Sequence, residues 1–329
     1  MPIGVVHYGL GPIGLAVASL VSQRPWLRSV AAVDISPDLD GRRLGQVTGR
    51  EANGPVICPR FLRPAEAAVA VHCTGSSLAH VAPQILELAS AGLNVISTAE
   101  ELAFPWQAHP AAAAEIDAAA RGAGVTVLGT GINPGYAMDY LPITLSAVAQ
   151  RVDRVAVHRV QDASTRRLPL QRKIGAGLAP EAFRAAVASG RLGHVGLTES
   201  AHTLARAFGW RLTDLREAIE PIVAETPTRM AESLIEPGQV LGLHQTAEGR
   251  VDSKTVISLT LDMAVGAGPS RDRVQLVGVP DLELEVPGGL HGDLATAAIA
   301  VNAIPRVLAA APGLVVMADL APPTPGPPQ

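Results

Sequence analysis

Cysteine is nearly absent: Cys58 and Cys73 are the only two among 329 residues. That excludes a disulfide framework and a cysteine-rich metal site, and it fits a reducing, cytoplasmic setting. No H-E-x-x-H pair and no G-x-S-x-G elbow occur, so no catalytic metal and no hydrolase-type serine are expected. Charge of one sign is also scarce. The net charge is -4, and no basic run exceeds a pair, which excludes a nucleic-acid footprint. Aromatic residues make up only 3%. Long apolar runs are missing as well. Residues 3–21 come closest, but Gly9, Gly11, Pro12 and Gly14 interrupt them and no positively charged segment precedes them. Neither a signal peptide nor a membrane span is expected there.

What is present supports a large core, with 48% hydrophobic and 17% charged residues. The apolar segment Ile3 to Tyr8 runs into Gly9-Leu10-Gly11-Pro12-Ile13-Gly14, and an apolar helix pattern follows. A second apolar strand ends in Asp34, twenty positions after Gly14. Each part has a physical task in holding a dinucleotide. Gly9 permits the tight turn, Gly11 lets the backbone approach a pyrophosphate, and Gly14 lets helix and strand pack closely. The helix N-terminus presents free N–H groups to phosphate. Asp34 is placed to accept from a ribose hydroxyl, which favours NAD(H). Arg42 and Arg43 lie close behind it and leave NADP(H) use open. The alternative is a glycine-rich turn in an ordinary α/β domain.

Strand and helix patterns alternate through residue 135, as a doubly wound parallel sheet requires. Strands are expected at 69–73, 94–97 and 124–128, with helices between them. From 154 the pattern changes to period two, at 154–161, 256–262, 273–278 and 282–286. One polar face on these strands implies a mainly antiparallel sheet covered on one side. A final amphipathic, alanine-rich helix is expected over 294–310, kinked at Pro305 and packed on the first domain. The predicted fold is therefore α/β, a Rossmann domain plus an α+β domain. The dinucleotide-binding domain takes residues 1–135 with 292–320, and the substrate and dimerisation domain takes 136–291. The proline-rich residues 321–329 read as a disordered tail.

Ligands of open α/β sheets bind beyond the carboxyl ends of the strands. Three such ends stand out: Thr74-Gly75-Ser76, Thr98-Ala99-Glu100-Glu101 and Gly131-Ile132-Asn133-Pro134-Gly135. On an extended segment one acid of the pair would face the cleft and the other point away; alternatively both belong to a solvated helix start. Arg159 and Gln161 share a strand face, and His194 follows Gly193 in a loop. Each of these is also open to a purely structural role.

Together the glycine loop, His72-Cys73-Thr74-Gly75-Ser76, Ser97-Thr98-Ala99-Glu100-Glu101-Leu102, the Gly129 to Gly135 segment, Arg159 to Ser164 and Gly292 to Thr296 running to Val301 to Pro305 resemble the dihydrodipicolinate-reductase-like superfamily. Within it the sequence is most similar to 2,4-diaminopentanoate dehydrogenases and native amine dehydrogenases. The resemblance implies a homodimer and NAD(P)-dependent exchange between an amine and a carbonyl with ammonia. It implies a catalytic glutamate, assigned to Glu101 with Glu100 as the alternative. It also implies that Gly9, Gly11, Pro12, Ile13, Gly14, Asp34, Thr74, Gly75, Ser76 and Asn133 hold the cofactor. Asn133, Arg159, Gln161, His194 and Thr296, with Glu101, would line the substrate. An imine reductase or another dehydrogenase on the same scaffold, and a protein that senses NAD(P) without turnover, are the competing readings.

Overall fold

The first strand, β1 (Ile3–Tyr8), has four consecutive buried residues at its centre, the mark of a strand covered on both faces. It belongs to a computed structural model that describes residues 1–49, 53–164, 168–230 and 233–326. The chain continues through α1 (Pro12–Val21), β2 (Leu27–Val33), α2 (Leu44–Val47), β3 (Ile57–Cys58), β4 (Ala67–His72), α3 (Leu78–Ser90) and β5 (Asn94–Ser97). A 3₁₀ turn (Glu100–Ala103), α4 (Pro110–Ala123) and β6 (Thr126–Gly129) complete this stretch. Next come α5 (Tyr140–Leu145), β7 (Arg151–Asp162), α6 (Leu168–Lys173), α7 (Pro180–Ala188), α8 (Leu197–Ala207), β8 (Asp214–Val223), β9 (Thr228–Met230) and β10 (Ser233–Ile235). Then follow β11 (Val240–Val251), β12 (Lys254–Ala264), β13 (Arg271–Val279), β14 (Leu282–Pro287), α9 (Gly292–Asn302), α10 (Ile304–Leu308) and β15 (Gly313–Val315). Two units result: Met1–Tyr136 with His291–Gln329, and Ala137–Leu290.

In the first unit seven strands run in the order β15-β6-β5-β4-β1-β2-β3, and every pairing is parallel. This is the doubly wound sheet of a Rossmann fold. α3 turns Val81, Ile85, Leu88 and Ala89 toward the core, where Ala113, Ile116 and Ala120 of α4 meet them. The 3.6-residue period dictates that stripe. α4 stops at Gly124, whose φ of 69° is left-handed and whose N–H caps the helix. α9, though it follows the second unit in sequence, packs against α1. The continuous kinked helix expected over 294–310 is instead two helices, broken at Ala303. Pro305 falls in the first turn of α10, where its missing N–H leaves no helical bond unmade. Residues 321–326 hold no helix or strand, and the Pro322 carbonyl accepts from Arg306 Nε at 3.1 Å. The rest of the expected tail, 327–329, lies outside the described residues.

The second unit carries a six-stranded sheet in the order β14-β13-β7-β12-β11-β8. Its β7–β12 pair is parallel and the other pairs are antiparallel. The alternation of β7 buries Val155 and Val157 against a helical layer in which α8 packs on β8, β11 and β12, and α5 on β13. The opposite face is polar. There the Asp262 carboxylate accepts from His158 Nε2 at 2.6 Å and from His244 Nδ1 at 2.5 Å.

Candidate active site

The turn after β1 is closed by steric necessity. A Cβ on Gly14 would lie 1.9 Å from the Gly9 carbonyl oxygen, and one on Gly9, at φ 90°, would lie 2.7 Å from that of Cys73. Gly11 differs, because a Cβ there would meet nothing within 4 Å. Gly11 is the N-cap of α1, no side chain caps that helix, and Pro12 opens it. The first-turn N–H groups at Ile13 and Gly14 therefore face a cradle suited to a phosphate. A cavity of about 590 Å³ adjoins it, lined by Gly9, Gly11, Asp34, Thr74, Gly75 and Ser76 together with Tyr8, Val33, Ile35, Cys73, Ser77, His80, Val81 and Gln84. Of the cofactor residues expected from sequence, Gly9, Gly11, Asp34, Thr74, Gly75 and Ser76 line this one cavity, whereas Pro12, Ile13 and Gly14 are not part of its lining. Asn133, expected with them, is not part of that lining. It is buried on the loop after β6.

The lining is braced from beneath. Asp34 Oδ2 accepts from Leu10 N at 2.6 Å and Oδ1 from Ser36 N at 2.8 Å. Buried His72 meets Ser97 Oγ at Nδ1 (2.9 Å) and Gln84 Oε1 at Nε2 (2.8 Å). Gln84 Oε1 also accepts from Thr74 Oγ1 at 2.6 Å. Since Oε1 can only accept, the His72 ring carries its hydrogen on Nε2. Burial lowers the pKa of His72 from 6.5 to about 4, against the opposing bond from Gln84, so the ring is neutral at pH 7. Burial pushes the Cys73 thiol up to about 12, a bond with Thr98 acting the other way, so Cys73 stays a thiol.

Glu100 and Glu101 lie on a 3₁₀ turn, not on the extended segment that the two-sided reading assumed. Glu101 Oε2 accepts from the backbone N–H of Leu78, the first residue of α3, at 2.6 Å. The same oxygen is 2.9 Å from His109 Nε2. The Glu101 backbone N–H donates to the carbonyl of Ser76, a residue of the cavity lining, at 3.4 Å; Glu101 itself is not part of that lining. A negative charge at the start of a helix is favoured by its dipole. Thr296 of α9 accepts from the Ile132 N–H at 3.2 Å, so its hydroxyl braces the loop that carries Asn133.

In the second unit Arg159, only 3% exposed, is 3.3 Å from Asp272 Oδ1 and donates to the Leu290 carbonyl at 3.0 Å. Burial raises the Asp272 carboxyl above its ordinary value, and Arg159 and the Leu290 N–H oppose it. Gln161 donates to its neighbour's carbonyl at 3.1 Å. His194 is held by its backbone: its N–H donates to Gln245 Oε1 at 2.8 Å, and its carbonyl accepts from Gln245 Nε2 at 2.7 Å. Gln245, Leu261 and Arg159 share one cross-strand row over β11, β12 and β7. Gln245 and His109 escaped the sequence reading. The one available signal for His109 was a histidine before Pro110, at a helix start where serine or aspartate is usual.

The profile of the 2,4-diaminopentanoate dehydrogenase C-terminal domain matches residues 136–325. The 2,4-diaminopentanoate dehydrogenase of Acetoanaerobium sticklandii is 31% identical, over 97% of this chain and 93% of its own. The chain belongs to the 2,4-diaminopentanoate dehydrogenase family. Among solved structures, an amine dehydrogenase from Mycobacterium smegmatis is 25% identical with a TM-score of 0.86, covering 100% of this chain and 98% of that one. The WlbA dehydrogenase from Bordetella pertussis, solved with NADH and UDP-GlcNAcA, is 14% identical with a TM-score of 0.51, covering 87% and 80%. It shares the fold alone. Among the described residues no group of three or more His, Cys, Asp and Glu side chains is arranged to hold a metal, and no helix is long and apolar enough to cross a membrane.

Proposed function

We propose that this family member is a nicotinamide-dinucleotide-dependent amine dehydrogenase, interconverting an amine with a carbonyl compound and ammonia, with Glu101 as its acid–base residue. The observation that carries the reading is the half-buried Glu101 carboxylate, held through Oε2 by Leu78 and His109 on a turn whose backbone bonds to Ser76 of the cavity lining. The glycine turn and the α1 N-terminus would hold the pyrophosphate, with Thr74, Gly75 and Ser76 opposite and Asp34 on the ribose. When bound, the nicotinamide takes or gives the hydride. Glu101 does the proton work. In deamination the carbon–nitrogen bond becomes an iminium as hydride leaves the carbon. Glu101 then removes a proton from the attacking water and returns it to nitrogen, and as ammonia departs the carbinolamine hydroxyl gives its proton to Glu101 and the carbonyl forms. In the reverse direction the same carboxylate binds ammonium, deprotonates it for attack and protonates the leaving hydroxyl.

NAD(H) is the preferred cofactor on this reading, because a carboxylate at Asp34 repels a 2′-phosphate. Asn133, Arg159, Gln161, His194 and Thr296 are assigned to substrate recognition on the family likeness. A cytoplasmic homodimer completes the proposal, supported by the same likeness and by the unpaired Cys58 and Cys73. Sedimentation velocity tests the dimer. The function is tested by cofactor reduction with a panel of short amines, with ammonia release measured in parallel. Reduction without ammonia would replace the reading with an alcohol or imine oxidoreductase. Glu101→Gln keeps an oxygen for Leu78 and His109 but removes the base. The expected loss in kcat is roughly 10²–10⁴, the usual span for a positioned acid–base group, with NADH affinity retained.

A further inference from the structure

Two neighbouring helices begin without caps of their own. Ser77 stands at the N-cap of α3 and His109 at that of α4, and neither side chain bonds to its own helix. Serine is among the best capping residues, and histidine is not. Both helix starts instead converge on one carboxylate. Glu101 Oε2 takes the first N–H of α3 at 2.6 Å and the Nε2 of His109 at 2.9 Å. An ionised carboxylate only accepts, so the ring nitrogen facing it carries the hydrogen. Among the described residues no donor reaches Oε1.

We propose that His109 is a positioning residue for Glu101: its Nε2–H and the α3 N-terminus saturate Oε2 and leave Oε1 as the atom offered to the amine. The inference rests on the assignment of Glu101 as the acid–base residue. The imidazole is well rooted for the task. The His109 N–H donates to the Pro105 carbonyl at 2.8 Å, and its carbonyl accepts from Ala113 at 2.9 Å. Pro110 fixes the backbone at the start of α4. α3 and α4 are locked to each other through Val81, Ile85, Ala113 and Ile116. Two donors on one oxygen remove the rotation that a carboxylate with a single anchor would keep. A carboxylate free to rotate would lower the fraction of molecules ready to react, an effect on kcat rather than on cofactor binding.

The test uses full-length enzyme with a short primary amine at saturating NAD⁺, and NADH affinity read by fluorescence. His109→Ala is expected to lower kcat roughly tenfold, the scale of one charge-assisted hydrogen bond, with NADH affinity unchanged. His109→Gln keeps a donor at nearly the same reach and is expected to recover most of kcat, whereas His109→Asn, one methylene shorter, is not. Added imidazole should rescue His109→Ala saturably, since the His109 side chain is 27% exposed. Wild-type kcat in His109→Ala alongside an inactive Glu101→Gln would overturn the role of His109 and leave that of Glu101 standing. Full activity in Glu101→Gln would overturn both. If His109→Ala does not fold, the Gln–Asn pair decides, and equal kcat in those two variants would sink the inference.

Discussion

Both carboxylate oxygens of Asp34 accept a backbone N–H, from Leu10 and Ser36. The side chain thus shapes the glycine turn as well as lining the cavity. Asp34→Ser is expected to raise the NADP⁺/NAD⁺ ratio of kcat/KM, because the repulsive charge is gone. It should also weaken binding of both cofactors, because the Leu10 and Ser36 bonds are lost. Dinucleotide titrations of wild type and variant check both effects, and an unchanged ratio would show that Asp34 does not read the ribose. The glycine loop and Asp34 are legible in sequence because their constraints are local: tight turns, close approaches and a fixed spacing. The Glu100–Glu101 pair is legible as an acid site but not as a conformation. Two acids after Thr98-Ala99 carry no periodicity that separates a 3₁₀ turn from an extended end. Glu101's partners, Leu78 and His109, are set by how α3 and α4 pack, and no spacing along the chain encodes that.

The strand–turn packing at β6 shows how an element can hold a distant side chain. A Cβ on Gly129 would lie 2.4 Å from the Leu102 carbonyl oxygen, inside the 3₁₀ turn that bears Glu101. Gly129→Ala must therefore push that turn off β6. The expected result is a lower Tm, by roughly 5 °C for a destabilisation of about 2 kcal/mol, and a larger fall in kcat than in NADH affinity. Thermal melts and steady-state kinetics on the one variant check it, and wild-type kcat would show that the 3₁₀ turn tolerates the shift. Sequence periodicity found the strands whose faces differ, such as β7 and β12, and passed over β8, β11 and β15. In β11 the pattern fails for physical reasons. Gln245, a polar residue, is fully buried because three hydrogen bonds satisfy it, and Gly242 and Gly249 replace side chains where neighbours press close. β15 is three residues long, too short to show any period. Pro305 suits either a bent helix or the first turn of a new one, so the sequence does not separate a kink from the break between α9 and α10.

For the molecule as a whole, acid sensitivity follows from two histidines in the parallel sheet. His7 and His72 are 1% and 0% exposed, and burial lowers each from 6.5 to about 4, with Gln84 partly opposing at His72. Between those values the unfolded chain binds protons that the folded chain refuses. Stability is therefore complete above pH 6.5 and is lost as the pH falls toward 4. At about 1.36 kcal/mol per pH unit for each site, the pair should lower the Tm by roughly 10 °C between pH 7 and 5. In His7→Gln the same drop should be about half as large; calorimetry at the two pH values checks this, and an undiminished drop would show that His7 does not contribute. The same unit is assembled from both ends of the chain, since Met1–Tyr136 and His291–Gln329 enclose the 154 residues of Ala137–Leu290. The ribosome delivers the glycine turn early and the helix that covers α1 only after the second unit. While Ala137–Leu290 is being made, α1 and the β6 edge of the sheet lack the partners supplied by α9 and β15. A nascent chain stalled before His291 would thus display apolar surface on its nucleotide-binding half, and it is there that a chaperone would engage it.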